Sequence, residues 1–119
     1  MRISGLIAAA ALLAPSVVVA HAKLVAASPA PDAVVKAAPA RLQLTFNENV
    51  TPGLATIAVT DPTGVKLHVM PASADPKAPG TLAAVVHGGG KPGLYKVDWA
   101  AAGSDMHRRT GSYSFTVKP

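Results

Sequence analysis

Beyond residue 40 the chain is built from short runs in which apolar and polar residues alternate. Arg41-Leu42-Gln43-Leu44-Thr45-Phe46 puts Leu42, Leu44 and Phe46 on one face, and in Ser112 to Val117 the residues Tyr113, Phe115 and Val117 do the same. Further runs lie at Val65 to Val69, Leu82 to Val86 and Gly93 to Ala100, with a less regular one at Leu54 to Thr60. A period of two is the mark of half-buried strands. Pro and Gly separate the runs. Asp61-Pro62-Thr63-Gly64 reads as a tight turn joining a hairpin, with Pro fixing φ and Gly tolerating a positive φ. Pro71 to Gly80 and Gly88 to Gly93 read as loops. The alanine-rich stretch Ala26 to Ala40 has a helix-like composition, but Pro29, Pro31 and Pro39 exclude a helix. The pattern predicts an all-β fold, an immunoglobulin-like Greek-key β-sandwich of about seven strands.

The first 20 residues have a different character. Arg2 supplies a positive start, Leu6 to Leu13 an apolar core, and Val18-Val19-Ala20 a small-residue end, the layout of a cleaved secretory signal. Pro15 interrupts the apolar run, which is shorter than the roughly 20 residues that cross a bilayer. Residues 1–20 are therefore expected to be removed and residues 21–119 to form the mature domain. Cleavage after Ala20 leaves His21 at the N-terminus, whereas cleavage after Ala22 discards it, and the local residues fit both.

A mature chain of 99 residues (119 − 20) is enough for one small domain. It contains no cysteine, so neither a disulfide nor a thiolate metal site is available, and the fold must close on its own core. The formal charge of +5 falls to +4 without Arg2. The cations are dispersed and aromatics few, which argues against a nucleic-acid partner.

The residues with metal chemistry are few and widely separated. With His21 first, its α-amine and Nδ1 would close a six-membered chelate ring. Asp105 and His107 are two apart, so an extended backbone would turn both side chains to one face, although Gly103 and Ser104 mark the segment as a connection rather than a strand interior. Asp-x-His is a common surface pair; the histidine at the expected mature N-terminus is what makes it a candidate site. The combined nitrogen and oxygen set suits tetragonal Cu(II), whereas zinc prefers a tetrahedral set. Glu48, the only glutamate, follows the strand Leu42 to Phe46 and reads either as a solvated carboxylate at a strand end or, if that strand packs near the N-terminus, as a group that approaches the metal or orients a ligand imidazole. His68 and Met70 are a sparse second candidate, for Cu(I). His87, beside three glycines, reads as an exposed loop histidine.

Several segments together resemble the CopC family of periplasmic copper-binding proteins. They are His21-Ala22-Lys23-Leu24, Ser28-Pro29-Ala30-Pro31, Leu44 to Glu48, Asp61 to Gly64, Gly93 to Trp99, and Asp105-Met106-His107 leading into Gly111 to Val117. The resemblance implies an immunoglobulin-like β-sandwich and an N-terminal histidine brace that holds one Cu(II) per chain. It assigns His21, Asp105 and His107 as ligands, places Glu48 close to the copper, and favours cleavage after Ala20. The implied function is copper resistance or homeostasis by a soluble periplasmic carrier or buffer. It would be non-enzymatic and monomeric, serving an inner-membrane CopD-like copper transporter. The chain departs from the family at two points. The region His68 to Pro79 holds only Met70, where some members have a methionine-rich Cu(I) loop, and Lys23 stands where many have a second histidine.

Two other function classes fit parts of the sequence. A histidine brace also forms the centre of copper monooxygenases, but one Trp and two Tyr leave little for a flat substrate platform, and Asp105 would crowd the plane where oxygen reacts. A metal-independent β-sandwich interaction module would need none of the histidines. It predicts that blocking the N-terminal amine changes nothing.

Overall fold

The computed structural model describes residues 21–119. The expected signal, and with it the cleavage site, lies outside the described residues. The strands are β1 (Leu24–Ser28), β2 (Val34–Val35), β3 (Arg41–Phe46), β4 (Thr56–Thr60), β5 (His68–Val69), β6 (Ser73–Asp75), β7 (Ala78–His87), β8 (Gly93–Ala102) and β9 (Arg108–Val117). They form two sheets. One runs β1-β3-β7-β5, with β6 also on β7, and the other runs β2-β9-β8-β4. All pairings are antiparallel except β2 with β9. Because β1 lies on β3 and β2 crosses to β9, the chain passes repeatedly between sheets, as in a Greek key. This is the expected all-β sandwich.

The alternating runs bury the faces that the sequence assigns inward. Leu42, Leu44 and Phe46 of β3 and Leu82, Ala84 and Val86 of β7 meet Ile57 and Val59 of β4, Tyr95, Val97 and Trp99 of β8, and Tyr113, Phe115 and Val117 of β9. Burying each large apolar side chain contributes about 1.5–3 kcal/mol. Two aromatic pairs order the middle of the sandwich. Tyr95 stacks on Phe115 with ring centroids 5.2 Å apart, and Phe46 meets Trp99 edge to face at 5.1 Å. The buried Tyr95 hydroxyl donates to the Lys91 carbonyl at 2.7 Å and accepts the Gly90 N–H at 3.2 Å, which pins the glycine-rich loop to the core.

Three local expectations change. The hairpin across Asp61–Gly64 forms only at its base. The Asp61 carboxylate accepts the Thr63 hydroxyl at 2.7 Å and the Thr63 and Val65 N–H groups at 2.8 and 3.0 Å, while Gly64 takes φ +87°. After one antiparallel bridge, Thr60 to Lys66, the chain leaves that sheet, and His68–Val69 pairs with β7 of the other. The stretch Pro71 to Gly80 is not a loop but the β6–β7 hairpin, turned at Pro76-Lys77 where Asp75 Oδ1 accepts the Lys77 N–H at 2.9 Å. Its inward positions, Ala72 and Ala74, are small and only half-buried, so the alternation with Ser73 and Asp75 is faint in the sequence. His87 is likewise not a loop residue; it ends β7 as the cross-strand partner of His68. The early strands β1 and β2 had no period-two signal, because both are short, proline-flanked and largely exposed.

Candidate metal centre

His21 is positioned by the residues that follow it. Ala22 is buried in the core, and Lys23 is tied to the end of β3 in both directions. Its N–H donates to Asn47 Oδ1 at 2.8 Å and its carbonyl accepts the Asn47 N–H at 3.0 Å. The ladder of β1 on β3 therefore extends almost to His21, and the imidazole stands one residue beyond the last fixed point.

The other two groups come from the β8–β9 connection. The end of β8, Ala100-Ala101-Ala102, is buried, and the Ala102 carbonyl accepts the Thr51 N–H at 3.1 Å. The chain then turns. The Met106 N–H donates to the Gly103 carbonyl at 3.0 Å, Met106 itself sits at φ +64°, and Asp105 Oδ1 accepts the His107 N–H at 3.0 Å. Asp105 and His107 thus converge through a tight turn with one left-handed residue, inside the connection that Gly103 and Ser104 mark in the sequence. A left-handed conformation costs a non-glycine residue about 1–2 kcal/mol, and the hydrogen bonds on either side hold it.

The result brings together residues 84 positions apart. His21 Nδ1 lies 3.0 Å from Asp105 Oδ2, His107 Nδ1 lies 3.7 Å from the same oxygen, and the two imidazole centroids are 5.8 Å apart. One ligand atom from each of His21, Asp105 and His107 falls within 4.8 Å of the others. The His107 N–H holds the Asp105 carboxyl below its ordinary range, against partial desolvation, with further help from the His21 hydrogen bond and both imidazoles. A carboxylate kept ionised beside two imidazoles is a donor set for a cation.

Glu48 is not in that group. Its Oε1 accepts the Ser104 N–H at 3.3 Å, and it packs so closely on Gly103 that a Cβ there would overlap its carboxylate. Its Oε2 is buried with no hydrogen-bond partner. Glu48 therefore grips the loop that carries Asp105 and His107. Asn47 and Gly103 position the site without belonging to the group: Asn47 ties Lys23 to the end of β3, and Gly103, legible in the sequence as part of a connection, leaves room for the Glu48 carboxylate.

An open groove of about 790 Å³ runs from His21 past Lys23, Asn47, Glu48, Trp99 and Tyr113. The Tyr113 hydroxyl is buried there without a partner, and burial pushes its pKa up to about 12. His68 and Met70 lie elsewhere, on and just after β5, and Met70 brings no second thioether with it.

Comparison with known proteins identifies the family. Residues 24–118 match the family model described as the CopC domain. The chain belongs to the CopC family. Its relatives include copper resistance protein C of Pseudomonas syringae pv. tomato, 37% identical over 92% of this chain and 90% of that protein. Protein YobA of Escherichia coli K12 is 36% identical over 90% of this chain and 86% of that protein. Among solved structures, CopC from Methylosinus trichosporium OB3b superposes with a TM-score of 0.73 at 32% identity, covering 83% of this chain and 95% of that one. PcoC from Escherichia coli, a methionine-rich copper resistance protein, gives 0.68 at 34% identity, covering 83% of this chain and all of that one. The CopC match includes Glu48, Asp105 and His107 and begins three residues after His21. The CopC-domain match and His21 are thus separate pieces of evidence.

Proposed function

We propose that this CopC-family protein binds one Cu(II) per chain at His21, Asp105 and His107 and carries or buffers copper in the periplasm. Copper is the cargo. The observation that supports this reading most is the convergence of the three side chains from opposite ends of the chain. The donor chemistry fits: two imidazoles and one ionised carboxylate suit Cu(II), which heads the affinity order for nitrogen and oxygen ligands. When the chain begins at His21, the α-amine joins Nδ1 of the same residue, and Nδ1 is the ring nitrogen that already faces Asp105.

The residues divide the work. His21 and His107 supply nitrogen, Asp105 offsets part of the dication's charge, and Glu48 fixes the loop through Ser104 and Gly103. A set without thioethers or thiolates favours the oxidised ion and disfavours its reduction, which suits storage and hand-over to an inner-membrane copper transporter and not turnover. The chain's relatives named copper resistance protein C support the same role.

Competitive titration of Cu(II) against a chromophoric chelator tests the ligand set. His21→Ala and His107→Ala should each weaken binding by at least about 100-fold, and Asp105→Asn by about 10-fold, on the scale of one ligand or charge lost. Unchanged affinity in both histidine variants would refute the reading.

A further inference from the structure

A second pair of histidines faces outward at the opposite edge of the β1-β3-β7-β5 sheet. His68 of β5 and His87 of β7 are register partners, both exposed, with ring centroids 5.7 Å apart and ring planes within 20° of parallel. The backbone beneath them is held. Val69 packs on the core beside buried Val86, and the Met70 N–H donates to the Val85 carbonyl at 2.9 Å. β5 is only two residues long, so this pair makes up half of its ladder.

We infer that His68 and His87 form a second, two-imidazole site for a borderline divalent cation, with Cu(II) the tightest binder. Cross-strand partners on one sheet face keep their side chains within a few ångströms, and rotation about the two χ angles of each ring brings one nitrogen of each towards a shared ion. Metal–imidazole bonds of about 2.0–2.1 Å fit two rings at this spacing. Two neutral nitrogens and solvent make a site that binds more weakly than one completed by an amine and a carboxylate. Met70, two residues from His68, shares its face by strand alternation. A thioether is a soft ligand with little affinity for a divalent ion, so the inference rests on the imidazoles alone.

This site does not depend on the reading of the His21 centre, and native mass spectrometry of the mature chain with three equivalents of Cu(II) separates the two. The wild-type chain should carry two copper ions and the His87→Ala chain one. The His21→Ala/His107→Ala chain should keep one, and adding His87→Ala should remove it. His87→Ala alters an exposed strand end, and unchanged far-UV circular dichroism checks that the fold is intact. A wild-type chain whose only copper survives His87→Ala, or a second copper that survives both His68→Ala and His87→Ala, would overturn the inference. If the His21 reading alone is wrong, the wild-type chain carries a single copper that His87→Ala removes and His21→Ala/His107→Ala does not.

Discussion

Asp105 is the residue on which the site turns. One carboxylate oxygen caps the backbone of its own turn and the other meets His21, so a single side chain both shapes the loop and offers an oxygen to the proposed metal. Tyr113 is its opposite, a buried hydroxyl with no partner. An unsatisfied buried polar group costs about 1–3 kcal/mol. Tyr113→Phe should therefore leave stability unchanged or raise it by about 1 kcal/mol, as read from urea midpoints. A clear loss of stability would show that the hydroxyl has a partner after all. Titration follows the same physics: folding disfavours the ionised phenol, so its stabilising effect is complete below pH 10 and is lost as the pH rises towards 12.

At the scale of elements, the site depends on a clamp between the end of β3 and the loop after β8. Gly103→Ala would drive a methyl into the Glu48 carboxylate, and overpacking of this kind costs about 1–3 kcal/mol. Copper affinity should fall about tenfold or more as the Asp105–His107 turn shifts, and Glu48→Ala should restore part of it in the double variant. Absence of rescue in copper titrations would mean that the two positions are not coupled. The turn after β4 gives a pH prediction. The Thr63 hydroxyl foremost, then the Val65 and Thr63 N–H groups and the Lys91 charge, hold the Asp61 carboxyl below its ordinary value against its desolvation. Its contribution to stability is present above about pH 4 and is lost as the pH falls through its folded value. Asp61→Asn should lower stability at pH 7 and flatten the loss below pH 4, measured by thermal melts across that range.

The whole molecule shows which features were legible in the sequence. Strands β3, β8 and β9 read correctly because each buries one face, and burial is what alternation records. Strands β1, β2 and β6 did not, because β2 is two residues long, a bulge between Leu24 and Ala26 breaks the period of β1, and the inward positions of β6 and its approach are small alanines. The three central site residues were legible through their chemistry. The connection that carries two of them was legible from Gly103 and Ser104, but its left-handed residue was not, since position 106 is a methionine. Nor was the His68–His87 pairing, because it depends on β5 changing sheets after a turn that looks like an ordinary hairpin.

Sheet pairing fixes both ends of the chain, β1 on β3 and β9 on β8, and so brings a histidine at the start beside an aspartate and a histidine near the end. The account holds only if the exported protein begins at His21. The decisive measurement is the intact mass of that protein, followed by its native mass with one equivalent of Cu(II) before and after acetylation of the amine. The account predicts a chain starting at His21 that takes up one copper tightly and loses that tight binding on acetylation. A chain starting at Lys23, or tight binding indifferent to acetylation, would contradict it.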